Sequence, residues 1–111
     1  MMMFPPGVKV FIATHPIDMR KSHNGLAAIV QSTFKQDIFS GHLFVFFSRS
    51  CNKVKILYWD RNGYALWYKR LEKGRFGLPR VSGELFTINP QELCLLLEGI
   101  ELTHKTRLRS L

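Results

Sequence analysis

The chain has 111 residues, which gives room for one domain of ordinary size and none for a second. Hydrophobic residues make up 46% and charged residues 22%, the proportions of a globular protein, so disorder through the whole chain is excluded. Sixteen Lys and Arg stand against eight Asp and Glu, a net charge of +8, and a field of that sign draws polyanions: nucleic acid, an anionic membrane or an acidic protein surface.

The two cysteines, Cys51 and Cys94, make no Cys-x-x-Cys and no disulfide framework, so reduced thiols in a cytoplasmic protein are the simpler expectation. The opening Met1-Met2-Met3-Phe4-Pro5-Pro6 lacks the pattern of a secretory leader. No run approaches the roughly 18 apolar residues of a membrane span, so no membrane is expected among the partners.

In chain order, residues 8–13 (Val-Lys-Val-Phe-Ile-Ala) read as a first strand after the Pro-Pro-Gly breaker. Ser22 is a good helix N-cap, and Leu26, Ile29, Val30, Thr33 and Phe34 follow at helical spacing, which predicts a helix over 22–35. Phe39-Ser40-Gly41 reads as a turn. Residues 43–47 (Leu-Phe-Val-Phe-Phe) are short, apolar and rich in β-formers, the mark of a buried strand. Residues 53–59 and 64–70 are two more strands around Asp60-Arg61-Asn62-Gly63, a hairpin signal that leaves a two-residue turn and a three-residue bulged turn both open. Residues 72–83 predict an irregular loop. Residues 85–88 predict a fourth strand beside the hairpin. Asn89, Pro90 and Glu92 form an N-terminal signature with a capping box, Ile88 and Leu93 suit a hydrophobic staple, and Gly99 ends this last helix. The expected architecture is α+β: an antiparallel sheet of about four strands with a central hairpin and two helices packed on it. It fills a single domain over 1–103, with a short basic tail over 104–111.

The basic residues are concentrated. Residues 49–80 hold Arg49, Lys53, Lys55, Arg61, Lys69, Arg70, Lys73, Arg75 and Arg80 against Asp60 and Glu72, which leaves one unit of the net charge for the rest of the chain. Together with Arg20 and Lys21, these nine are the candidate nucleic-acid contacts, since Lys and Arg neutralise phosphates and a two-stranded ribbon can enter a groove; composition alone leaves a plain solvated basic face equally open. Tyr58, Trp59, Tyr64, Trp67, Tyr68 and Phe76 lie in the same stretch. Exposed rings could stack on unpaired bases, but large aromatics are more often buried, and core is the preferred reading. For Arg20 the structural reading is also preferred: Asp18 holds it in an exposed pair of little energetic value.

Catalysis finds little support. Asp18, Asp60 and Glu84 could be imagined as a two-metal carboxylate set, but eight acids would supply such a triple in any fold. The histidines at 15, 23, 42 and 104 and the two cysteines show no zinc-ligand spacing. There is no Gly-rich phosphate loop and no nucleophile elbow, so no catalytic residue, metal or cofactor is assigned.

Several blocks carry a resemblance that spans nearly the whole chain. They are Pro16-Ile17-Asp18-Met19-Arg20-Lys21, Gly25-Leu26-Ala27-Ala28-Ile29-Val30, Ser40-Gly41-His42-Leu43-Phe44-Val45-Phe46 and Val54-Lys55-Ile56-Leu57-Tyr58-Trp59-Asp60. Gly63, Tyr68-Lys69-Arg70-Leu71-Glu72, Gly74-Arg75-Phe76, Pro79 and Leu95-Leu96-Leu97-Glu98-Gly99-Ile100 continue the set. In these blocks the chain resembles the small second-reading-frame (TnpB-type) protein of insertion-sequence family 66 elements. Ser22-His23-Asn24 and Ser50-Cys51-Asn52 depart from that pattern. The resemblance implies a non-catalytic accessory factor for DNA transposition. Its expected partners are DNA at the element ends, the large transposase and the other small protein of the element. The competing expectation is a module that docks its basic face on the transposase and never touches DNA.

Overall fold

A computed structural model describes residues 7–99. The core is a five-stranded mixed sheet in the order β4-β3-β2-β1-β5, with β1 at Val10–Ala13, β2 at Leu43–Phe47, β3 at Lys53–Asp60, β4 at Gly63–Arg70 and β5 at Leu85–Ile88. Helices α1 (His23–Ala28) and α2 (Pro90–Leu97) complete an α+β fold. The predicted tail over 104–111 lies outside the described residues.

The sheet differs from the expected antiparallel one in two ways. β1 and β2 are parallel neighbours, with Val10 opposite Leu43 and Ile12 opposite Val45. The segment between them, which carries α1, is therefore a crossover and not a return turn. β5 does not join the hairpin; it pairs antiparallel with β1 at the opposite edge, Val10 facing Ile88 and Ala13 facing Leu85. A four-residue strand after a long irregular loop carries no sequence mark of which edge it will reach; it pairs with the edge of β1 that β2 leaves free.

All five residues of β2 are buried. Alternation along the strands sends Leu43, Val45 and Phe47 to one face with Val54, Ile56, Ile88, Leu93 and Leu96, where α2 packs. Phe44 and Phe46 go to the other face with Leu57, Leu26 and Val30, beneath α1. A central strand covered on both sides explains why 43–47 is an uninterrupted apolar run.

The helix predicted over 22–35 exists with an altered second half. After Ala28 the chain widens into a π-helical turn over Ile29–Thr33, with the Phe34 amide donating to the Ile29 carbonyl at 3.0 Å. Ser32 Oγ donates back to the Ala28 carbonyl at 2.6 Å, a local bond that competes with the regular ladder. The wider turn leaves Thr33 exposed, whereas the expected stripe had it inward; Ala27 is buried instead. Lys35 ends the element in the left-handed region at φ 57°, and the Gln36 amide reaches back to the Val30 carbonyl at 3.0 Å, one residue further than in the usual helix closure. Ser22 does not cap: its hydroxyl pairs with His23 Nδ1 at 2.9 Å. Residues 38–40, expected as part of a turn, form a short 3-10 helix capped by Asp37.

The hairpin resolves to the two-residue turn. Asp60 pairs with Gly63, so Arg61 and Asn62 make the bend and Arg61 takes φ 56°. The second helix is as expected: Asn89 accepts from the Glu92 amide at 2.8 Å, Glu92 Oε1 accepts from the Asn89 amide at 3.1 Å, and Pro90 opens the first turn. Ile88 and Leu93 are buried in one cluster, and Gly99 at φ 89° follows the last turn. Replacing Asn89 with Ala removes a cap on a core helix; urea unfolding should show a loss of about 1 kcal/mol.

His42 ties the start of β2 to β1. Its Nδ1 accepts the Lys9 amide at 3.0 Å, and its ring sits edge-on to Phe11 at 5.8 Å. Burial, reinforced by the nearby Lys9 charge, pushes the imidazole below its ordinary value, which matches a ring that must stay neutral to accept. A group with a depressed folded pKa contributes stability above its unfolded value near 6.5, and that stability is lost as pH falls. Lowering the pH from 7.5 to 5.5 should destabilise the native protein more than a His42→Asn variant, whose amide oxygen keeps an acceptor there. The difference is on the order of half a kcal/mol, at the low end for a hydrogen bond because the ring is partly in solvent; denaturant midpoints at the two pH values check it.

Candidate nucleic-acid interface

The strand directions define two ends of the sheet. β1, β2 and β4 finish at the end where β3 and β5 begin. The β2–β3 turn lies at this end and carries Arg49. Lys53 opens β3 and faces Arg70, the last residue of β4, across the ladder. The loop after β4 is held to that turn by two backbone bonds, from the Leu71 amide to the Asn52 carbonyl and from the Phe76 amide to the Cys51 carbonyl, both 2.8 Å. Those bonds bring Lys73 and Arg75 to the same end. Phe76 is buried against Phe47, which anchors the loop in the core.

The loop after β1 arrives there too, because the Ile17 amide donates to the Phe47 carbonyl at 3.1 Å. It carries Arg20 and Lys21. Arg80 lines a surface cleft with Ala13 and Thr14, at the finish of β1. Eight of the eleven predicted cations therefore share one end of the sheet: Arg20, Lys21, Arg49, Lys53, Arg70, Lys73, Arg75 and Arg80. Seven of these are exposed, and Lys53 is half-buried.

Three do not join as expected. Arg61 occupies the hairpin tip, at the other end of strands eight residues long, roughly 25 Å away. Lys55 and Lys69 are committed inside the fold. Lys55 Nζ donates to the Met19 carbonyl at 2.6 Å and to the Lys21 carbonyl at 2.8 Å, and so pins the β1–α1 loop onto β3. Lys69, on the opposite face, donates to the Leu97 carbonyl at 2.7 Å. The last turn of α2 has no basic residue of its own, and Lys69 supplies from β4 the positive charge that a helix C-terminus favours. Charge counting along the sequence cannot separate such lysines from solvated ones, because their acceptors lie 34, 36 and 28 residues away.

Asp18 and Arg20 form the expected exposed pair, with Arg20 Nη2 to Asp18 Oδ2 at 2.7 Å and Arg20 Nε to both carboxylate oxygens. The guanidinium side-chain bond, with the Arg20 amide adding to it, holds the Asp18 carboxyl at about 2. Arg70 has a comparable exposed partner in Glu72 at 3.3 Å. Such pairs are labile in water and orient the guanidinium without withdrawing it from a competing phosphate. Asp60 lies at the hairpin tip, away from Asp18 and from Glu84, whose carbonyl receives the Thr14 amide beside β1's end, so the carboxylate triple is not assembled. Among the described residues no group of three His, Cys, Asp or Glu could hold a metal ion. No helix among them is long and apolar enough to cross a membrane.

The aromatic residues divide. Phe76 is buried, and Tyr58 and Trp67 are half-buried against the α2-side core, as expected. Tyr68 is not: it is 50% exposed on edge strand β4. At the hairpin tip Trp59 and Tyr64 meet edge-on at 5.1 Å, and Phe39 packs edge-on to Trp59 at 4.9 Å while remaining 55% exposed. Phe39 carried no signal in the sequence beyond its place in a turn.

A family model for the IS66 Orf2-like protein matches residues 8–107. The chain belongs to the IS66 Orf2-like family. Two relatives come from Sinorhizobium fredii (strain NBRC 101917 / NGR234). The uncharacterized protein y4jC is 37% identical over 101 residues, covering 91% of this chain and 86% of that protein. The uncharacterized protein y4hO is 41% identical over 104 residues, covering 92% and 90%. No solved structure matches.

The division of the cations has a direct check. Lys55→Ala and Lys69→Ala each strand main-chain carbonyls that a charged donor now satisfies, and each should lower unfolding free energy by about 1–2 kcal/mol. Arg49→Ala and Lys73→Ala should stay within about 0.5 kcal/mol of the native protein. Urea denaturation of the four variants measures this.

Proposed function

We propose that this IS66 Orf2-like protein is a non-catalytic accessory factor in the transposition of its insertion sequence, and that it binds DNA through the basic end of its sheet. The observation that carries the reading is the convergence of eight cations, drawn from three loops and two strand ends, on one end of the sheet. Phosphate contacts position a protein on DNA without reading sequence, and a surface built from loop and strand-end cations suits that task. The family supports the connection with an insertion sequence. The large transposase and the other small protein of the element are the proposed protein partners, and the cytoplasm is the proposed location.

The competing reading keeps DNA out and docks the chain on the transposase. The exposed Phe39 with Trp59 and Tyr64 at the hairpin tip favours a protein contact at that end, since aromatic side chains are enriched at interfaces and Arg61 stands beside them. The two ends can be tested apart. In a salt-dependent titration with element-end DNA, log affinity should fall linearly with log salt. The combined Arg49→Ala, Lys73→Ala, Arg75→Ala variant should flatten that slope by about two to three and weaken binding uniformly across sequences. Arg61→Ala should leave the slope unchanged. Unaltered DNA binding in the triple variant would remove the basic end from the interface, and absence of any binding at low salt would leave the docking reading.

A further inference from the structure

Tyr68 is an exposed ring set among cations. Residues 64, 66, 68 and 70 of β4 share the α1 side of the sheet, and Tyr68 faces Lys55 across the ladder, one pair removed from Lys53 and Arg70. Lys55 Nζ stands over the Tyr68 ring, 5.6 Å from its centroid, within the range of a cation–π contact. The same ammonium holds the Met19 and Lys21 carbonyls, so the loop bearing Arg20 and Lys21 passes beside the ring. Lys55 thus packs against one face of the Tyr68 ring while its ammonium fastens the neighbouring loop. Half of the residue nonetheless remains in solvent, on the strand that forms the sheet's edge among the described residues.

We infer that Tyr68 is a stacking platform for an unpaired base, and that the basic end engages single-stranded DNA, with Lys53, Arg70 and Lys21 on the flanking phosphates. The inference rests on the DNA reading above and adds the form of the substrate. In a duplex the base faces are stacked on one another, and a ring standing on a strand edge meets only the backbone or the base edges. A single strand offers free π-faces, and any base suits, because stacking is tolerant of sequence. The phosphates of either form would meet the surrounding cations, so charge alone does not distinguish them; the ring does.

The test compares a fluorescein-labelled oligothymidylate with a blunt duplex of equal length, at one salt concentration, for the native protein and for Tyr68→Ala, Tyr68→Leu and Tyr68→Phe. Thermal melts establish that each variant is folded; Tyr68→Leu retains an apolar side chain over Lys55 if the alanine variant is unstable. Loss of the ring should weaken single-strand binding by about fivefold or more. Tyr68→Phe should retain it, and duplex affinity should be unchanged in all variants. A single-strand affinity indifferent to Ala and Leu, or an equal fall for both DNA forms, overturns the stacking role while leaving a DNA-binding end in place. A native protein that binds neither form at low salt overturns the DNA reading itself, and the stacking role with it.

Discussion

Strand β2 is buried on both faces, and the rest of the molecule is arranged around that fact. A five-residue strand of Leu, Phe and Val must be flanked by paired strands and covered above and below. β1 and β3 take its two edges, α1 covers Phe44 and Phe46, and α2 covers the layer of Leu43, Val45 and Phe47. Because β1 runs parallel to β2, the connection between them must cross over one face, and the loop that leaves β1 emerges at the end of the sheet where β2 also finishes. The next strands are antiparallel, so their opposite termini come to that same end. One apolar run thereby decides where the basic loops gather.

The cations serve two separate purposes. Lys55 and Lys69 use their ammonium groups as donors to main-chain carbonyls of distant segments, one fastening the β1–α1 loop and the other closing the last turn of α2. Both are half-buried, and their charged ends are spent on these bonds. Arg49, Lys73, Arg75 and Arg80 are exposed, with no ion pair to an acid among the described residues, and Arg20 and Arg70 pair with exposed carboxylates. Like charges gathered at one end of a sheet repel, and the arrangement is tolerated in water because solvent and salt screen it; a polyanion would relieve it. A surface of this kind, and the separate aromatic group at the hairpin tip, give the molecule two distinct faces at opposite ends of its longest strands.

Most of the elements could be read from local pattern. The capping box of α2, the buried run of β2 and the pairing of β3 with β4 all depend on neighbours in sequence, and each is present. What could not be read depends on distant neighbours. The Asn62-Gly63 pair suggested a turn, yet Gly63 joins the ladder and Arg61 takes the left-handed position, because the register is fixed by the packing of whole strands. The second half of the first helix was helical in pattern but not in pitch. Its π-turn involves a Ser32 hydroxyl bond and the burial of Val30 against the sheet, which the spacing of apolar residues does not record.

The sequence by itself determined the class of fold, the family, the concentration of positive charge and the ends of the last helix, since these follow from composition, local periodicity and capping chemistry. Tertiary structure alone decided that the sheet is mixed, that residues 85–88 close the far edge, that two of the eleven candidate cations are internal donors, that Arg61 stands apart, and that Tyr68 is displayed rather than buried. The physical reason is common to all five. Each depends on which backbone carbonyl, strand edge or solvent boundary a side chain meets, and those partners lie tens of residues away along the chain, where no local preference reaches.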